Sequence, residues 1–253
     1  MLFRTALLSV ALAGAAPAFG FDLKTMTADE RAAFGAEVRA YLIAHPEVLI
    51  EVSDALKAQQ ATAQAVSDQA LVAENAAALF SDGYSYVGGN PDGDITMVEF
   101  IDYRCGYCRK AHAGVAKLLK SDGNIRYVVK EFPILGDESV VASRFAIAAL
   151  KVAGPEAYQK INAGFYETFR GDVTPETLST FAVSLGLEAA PILAAMSDPD
   201  IDKIIGSNHL LAASLDISGT PTFVLGNKLL RGYVPDEELQ AMLTEARSKS
   251  AQP

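Results

Sequence analysis

The spacing of hydrophobic positions changes several times along the chain, and each change marks an element. A first amphipathic segment opens at Thr27 with Glu30 three residues on, a capping-box pattern that predicts a helix to about Ala44. Pro46 suits the first turn of a second helix, where its missing N–H does no harm. That helix carries Leu49, Val52, Leu56, Gln59, Ala63, Val66, Ala70, Ala73, Ala77 and Phe80, spaced alternately three and four apart. A 3.5-residue period held this long is the pattern of a coiled coil. Alanines and one glutamine thin the middle of the seam, and a helix folded back on its own globular domain fits it too. Both readings stay open.

From Ser81 the texture changes. Gly83, Gly88, Gly89, Pro91 and Gly93 punctuate a turn-rich stretch. Residues 95–101 then form a β-branched, almost continuously apolar run, which predicts a buried strand. Cys105-Gly106-Tyr107-Cys108 follows directly, and 109–120 reads as a helix with Ala111, Val115, Leu118 and Leu119 on one face. A second strand is predicted over 125–130. Residues from Gly136 to about Leu215 are mostly helical by pattern, with breaks near Gly154-Pro155, Gly171-Asp172 and Asp198-Pro199 and a helix start at Thr174-Pro175-Glu176. Strands at 222–225 and 228–230 flank Gly226-Asn227, a hairpin signal. A last amphipathic helix starts near Pro235.

Composition adds a compartment and removes one class of partner. Half of the 253 residues are hydrophobic, enough for one full core. The formal charge of −10 argues against nucleic acid as a partner. The leading residues hold one charge, Arg4, then an apolar run over 6–13 and small residues ending in Ala16-Pro17-Ala18. This is the layout of a secretory signal peptide, cut after Ala18 or Gly20. The run is shorter than the ~20 apolar residues of a membrane span. A soluble protein of the bacterial periplasm is expected.

The chemistry rests on two cysteines, the only ones in the chain, three positions apart. As a staple they would do little: a four-residue loop contributes roughly 2 kcal/mol, against more than twice that for a hundred-residue loop. Two thiolates could hold Cu(I), but zinc asks for four ligands. His45, His112 and His209 show no ligand spacing, so no metal or other cofactor is expected. A redox pair fits best. At a helix N-terminus unpaired N–H groups and the positive dipole end favour a thiolate. Cys105 is therefore the expected nucleophile, with Arg104 as a further positive influence, and Cys108 the resolving thiol. His112 lies about 10 Å further along the helix axis, a surface or packing position.

The order of strand, Cys-x-x-Cys, helix, strand, helical stretch and Thr220-Pro221-Thr222 before a hairpin resembles the DsbA-like thiol–disulfide oxidoreductases. The resemblance implies an α/β thioredoxin fold over 81–250 with a helical insertion at about 136–215, preceded by a helical arm over 21–80 and a signal peptide over 1–20. The arm resembles that of the suppressor-of-copper-sensitivity C and Com1-like proteins; in the former it makes oligomers with isomerase activity. By this resemblance Cys105 is the attacking thiol, Cys108 its buried partner, and Thr220-Pro221 a cis-proline loop that faces the sulfurs and pairs with an extended substrate. Glu99, six residues before Cys105, matches a buried acid that relays the second thiol's proton; the alternative is a strand-edge carboxylate paired with a lysine. Lys130-Glu131-Phe132-Pro133 also resembles a family stretch. Gly106 and Tyr107 tune the pair as in the disulfide isomerase DsbC, which implies a less stabilised thiolate than in the strong oxidant, and a bias towards shuffling or reducing disulfides. Expected partners are cysteine-containing exported proteins, a membrane thiol reductase and further copies of the chain. Two other readings stand beside this one: a monomeric dithiol oxidase, and a copper-binding protein that uses the reduced thiols as ligands.

Overall fold

The computed structural model describes residues 24–250. The proposed signal peptide lies outside them. Ten helices and five strands follow in order among the described residues: α1 (Ala28–Ala44), α2 (Glu47–Glu74), α3 (Ala76–Phe80), β1 (Tyr86–Gly89), β2 (Ile95–Ile101), α4 (Gly106–Asp122), β3 (Ile125–Glu131), α5 (Asp137–Ala153), α6 (Pro155–Glu167), α7 (Pro175–Ser184), α8 (Ala189–Ala195), α9 (Pro199–Ser214), β4 (Thr222–Leu225), β5 (Lys228–Arg231) and α10 (Asp236–Ser250). The chain divides into two compact units at Gln59/Gln60.

In the first unit α1 begins with the predicted capping box: the Glu30 N–H donates to the Thr27 hydroxyl, and Glu30 accepts from the Thr27 N–H at 2.9 Å. Neither α1 nor α2 up to Gln59 buries a residue. Phe34, Val38, Tyr41, Ile43, Leu49, Ile50, Val52 and Leu56 are exposed apolar side chains.

The second unit is built on a mixed sheet in the order β1-β3-β2-β4-β5. β2 and β3 are parallel and joined across α4, while β1, β4 and β5 pair antiparallel to their neighbours. In this register Glu99 lies beside Val129 on one side and Phe223 on the other. The five helices α5 to α9 are inserted between β3 and β4. Because side chains alternate along a strand, Met97, Ile101, Tyr127 and Val129 face α4 and the inserted helices, in a core with Val115, Phe145, Phe165 and Phe181. Val98, Phe100, Val128 and Val224 face the other way, onto Leu79, Val72, Leu211 and Leu215.

That second core corrects the reading of the arm. The seam was expected to continue to Phe80 on one helix, but α2 ends at Glu74. Asn75 breaks it by turning its side-chain amide back onto the Leu71 carbonyl at 2.8 Å, and α3 starts anew. Residues 60–80 pack on the sheet through Val72 and Leu79, which are off the seam, while Ala63, Val66, Ala70, Ala73 and Ala77 line no part of either core. Asp68 fixes this docking: its carboxylate accepts two N–H groups of Arg231 at 2.9 Å each. The next residue, Gly232, donates its N–H to the Pro221 carbonyl at 2.9 Å. Lys130 is fully buried on the same face, donating to the Ala78 carbonyl at 2.6 Å and to Asp82 at 2.5 Å.

The turn-rich stretch before β2 holds a strand, β1, that the sequence pattern does not predict. Its pairing with β3 requires Gly89 at φ +64°, where a Cβ would sit 2.4 Å from the Ile125 carbonyl oxygen.

Candidate active site

The residue before α4 places the first thiol. Cys105 is its N-cap, with extended backbone angles, and the Cys108 N–H points at Cys105 Sγ at 3.4 Å. The helix starts at Gly106, three residues earlier than the pattern indicated, so both cysteines lie at its first turn. Both are free thiols; Cys105 is 7% exposed and Cys108 1%. Gly106 and Tyr107 form the exposed lip. A side chain at Gly106 would meet nothing within 4 Å, so that position leaves the approach to Cys105 open.

The Thr220-Pro221 bond is cis, and Cys105 Sγ lies 3.2 Å from the Thr220 carbonyl oxygen. The two motifs singled out in the sequence, 115 positions apart, therefore meet. Hydrogen bonding from the Cys108 thiol is the largest influence lowering the Cys105 pKa, to about 5, aided by Thr220 and by the N–H groups of Cys108 and Tyr107 against the effect of burial. Cys105 is a thiolate at neutral pH. Burial pushes the Cys108 thiol far up, as do its bond to Cys105 and the charge of Glu99. The two thiols thus differ sharply in acidity, Cys105 being the more readily ionised.

Glu99 is buried on the α4 face and accepts a short hydrogen bond from the Tyr127 hydroxyl. The alternative of a lysine partner is not what is found. Burial raises its pKa to about 7, opposed by the Tyr127 bond and reinforced by negative charge at Cys105. A carboxyl that titrates near neutrality behind a buried thiol can take or give its proton. Arg104 turns to the Gly171 carbonyl at 3.1 Å and to Glu138 at 3.0 Å. His112 is largely buried, beside the Tyr166 ring and 3.3 Å from Glu167.

Three further residues shape the site; Asp102 and Tyr166 are not singled out in the sequence, and Glu131 is named there only as part of the Lys130-Glu131-Phe132-Pro133 stretch. Asp102 is buried and accepts from the Arg104, Ile134 and Leu135 N–H groups and the Ser139 hydroxyl, at 2.7–3.0 Å, which clamps the loop leading into Cys105. Tyr166 donates to the Asp102 carbonyl and accepts, through its own carbonyl, from Arg109. Glu131 accepts from Tyr158 at 2.5 Å and from Tyr103 and Ser143 at 2.7 Å each; burial raises its pKa to about 7. Most of their partners are distant in sequence, so no local pattern marks their roles.

A family model described as Thioredoxin matches residues 81–245. The chain belongs to the thioredoxin family. A second model, the N-terminal domain of the copper resistance protein ScsC, matches residues 30–63. The chain is similar to a thioredoxin-like oxidoreductase from Silicibacter pomeroyi, with 35% identity and TM-score 0.62 over 68% of this chain and 97% of the other. It is also similar to Proteus mirabilis ScsC in a transitional conformation, with 25% identity and TM-score 0.64 over 90% and 100%. The resemblance to ScsC and DsbA-like proteins holds at the level of the fold. Among curated relatives, a Na(+)/H(+) antiporter NhaA 1 of Salinispora arenicola is 29% identical over 64% of this chain. The chain spans about a quarter of the length of the curated relatives it matches. No described helix is long and apolar enough to cross a membrane.

Proposed function

We propose that this protein is an exported thiol–disulfide oxidoreductase that isomerises or reduces disulfides of other exported proteins in the periplasm. The observation that carries the reading is the position of Cys105, a thiolate at the start of α4 and 3.2 Å from the Thr220 carbonyl of the cis-proline loop. Cys105 Sγ attacks one sulfur of a substrate disulfide. The old S–S bond breaks, a mixed disulfide forms, and one substrate sulfur leaves as thiolate. In isomerisation that thiolate re-attacks elsewhere in the substrate and frees Cys105. In reduction Cys108 gives its proton to Glu99 and attacks Cys105, releasing the second substrate thiolate and leaving the Cys105–Cys108 disulfide for a membrane thiol reductase to reduce. An extended substrate segment pairs with the backbone beside Pro221, the strand-addition mode.

The exposed apolar residues of α1 and the seam from Leu49 favour self-association through this part of the chain, which would bring several redox pairs into one assembly. Refolding of scrambled ribonuclease tests the activity. Yields no better than with Cys105→Ala would end the isomerase reading.

A second reading, a dithiol oxidase, draws on the low Cys105 pKa. About 5 lies between the roughly 7 of thioredoxin and 3.5 of DsbA. A stabilised thiolate favours the reduced form and makes the couple more oxidising. Equilibration with glutathione decides: a potential near roughly −120 mV supports the oxidase, one near roughly −180 mV or below the isomerase or reductase.

A further inference from the structure

Reduction by this pair has a proton to dispose of, and the usual exit is closed. Cys108 and Glu99 are 1% and 3% exposed, so neither meets bulk water. While the mixed disulfide stands, the substrate covers the mouth formed by Cys105, Tyr107 and Pro221. Glu99 must nevertheless discharge before it can serve again.

One of the groups around Glu99 leads outward. From α4 it faces the two thiols, from α6 Tyr166, and from β4 the apolar Phe223. Tyr166 sends its hydroxyl to the Asp102 carbonyl. From β3 comes Tyr127, whose hydroxyl bonds Glu99 directly. Tyr127 also forms part of the wall of a groove of about 810 Å³ between β1, α4 and α6. The groove is more apolar than polar, but Asn90, His112, Gln159, Asn162 and Glu167 are among its lining, and none of the mouth residues borders it. Glu131 has a similar link to it, since Asn162 donates at 3.3 Å to Tyr103, which donates to Glu131.

We propose that Tyr127 is the proton outlet of the buried site, passing to water in this groove the proton that Glu99 takes from Cys108. The proton moves from the Glu99 carboxyl to Tyr127 Oη as the phenol's own proton passes to groove water. One proton leaves, Glu99 returns to carboxylate, and Tyr127 ends neutral. The reverse sequence recharges Glu99 when the pair is reduced. This rests on the reading of Glu99 as the base for Cys108, and it adds that the outlet opens away from the substrate. Tyr127 acts through Glu99 and touches no reacting sulfur.

The test follows the resolution step alone. Reaction of the reduced protein with Ellman's reagent forms a Cys105–thionitrobenzoate adduct, and attack by Cys108 releases a second coloured thiolate in stopped flow. Release is measured between about pH 5 and 9 for wild type, Glu99→Gln, Tyr127→Phe and Ala116→Phe. Ala116 is an exposed groove-lining residue, so its replacement fills the groove and leaves the Tyr127–Glu99 bond in place. Glu99→Gln is expected to slow release about tenfold near neutral pH and to remove the inflection there. Tyr127→Phe is expected to slow it by a similar factor and to move the inflection to higher pH, with imidazole in the buffer restoring the rate. Ala116→Phe is expected to slow release without moving the inflection. Wild-type kinetics in Tyr127→Phe, with Glu99→Gln slow, would overturn the outlet and leave the base intact. Wild-type kinetics in Ala116→Phe, with Tyr127→Phe slow, would also overturn it, reducing Tyr127 to a group that positions Glu99. If Glu99→Gln itself matches wild type, the reading of the base fails and the outlet with it.

Discussion

Cys105 Sγ lies 3.2 Å from the carbonyl oxygen of Thr220, on the loop that enters β4. On the proposed reading, a substrate that adds as a strand beside Pro221 would be delivered to the Cys105 sulfur by backbone geometry, whatever its side chains. The thiol's S–H can use that carbonyl only while protonated. The Cys108 thiol and the first N–H groups of α4 act in the opposite sense and prevail.

The first prediction concerns that balance. Thiolate absorbance in the far ultraviolet should appear in the reduced protein with a midpoint near pH 5 and vanish in Cys105→Ser. The leading cause of the lowered value is the Cys108 thiol, so Cys108→Ala should move the midpoint up towards the ordinary ~8.5. A midpoint unchanged in that variant would show that the helix terminus alone sets the acidity. The lowered pKa also makes the stability of the reduced form pH-dependent: its contribution is full above the unfolded thiol's pKa and is lost as pH falls through about 5.

The two buried carboxyls act in the other direction. Glu99 and Glu131 both have pKa values raised to about 7, so the native state holds protons that the unfolded chain releases above about 4.5. Their contribution is present below the unfolded value and is lost as pH rises through 7. Each is worth on the order of 3 kcal/mol across that window. Melting of the oxidised protein, in which the thiols are silent, should show Tm falling between about pH 4.5 and 7 and levelling off above. Glu131→Gln should flatten that fall, and comparison of the two proteins cancels the opposing titration of His112. Parallel slopes would count against Glu131 as the source.

Lys130 and Asp82 form a buried ion pair at 2.5 Å. Lys130→Met leaves the Asp82 carboxylate buried without its cation, a loss of about 3–5 kcal/mol. Urea denaturation should show it as a lower midpoint at an unchanged slope. A loss below about 1 kcal/mol would mean that water reaches Asp82.

Truncation should distinguish the two halves of the helical arm. Removing residues up to Gln59 deletes exposed apolar surface and should abolish self-association while leaving the melting temperature of the remainder within a few degrees. Removing residues up to Phe80 also deletes Val72 and Leu79 from the second core, and each truncated core side chain costs about 2–5 kcal/mol. That shorter chain should be largely unfolded by circular dichroism. If the chain that begins after Gln59 still sediments with the same number of subunits as the intact protein, association through the arm is ruled out.

Much of the fold could be read in the sequence where local chemistry sufficed. β2 and β3 are runs rich in β-branched residues, β4 and β5 flank a Gly-Asn turn, and the α1 capping box is formed as its residues indicate. β1 was hidden because two of its four residues are glycines, and its strand character comes from pairing with β3. The end of α2 was missed because Asn75 fits the apolar-seam template as a harmless intervening residue; its side chain decides otherwise. At the site, Cys105, Cys108 and Pro221 stand out by type and spacing. Asp102 and Tyr127 do not, and Glu131 stands out only within its family-like stretch, since a carboxylate or tyrosine in a strand or loop shows no role until partners distant in sequence arrive.

Arg231 and Gly232 are neighbours at the end of β5, and they hold different things: Arg231 grips Asp68 on α2, and Gly232 grips the Pro221 carbonyl. In mechanical terms the last turns of α2 and the proline loop share a single anchor. Slack introduced there, as by Asp68→Ala, should therefore loosen the proline loop as well, so that a helix lying away from the sulfurs helps to hold the loop that faces them.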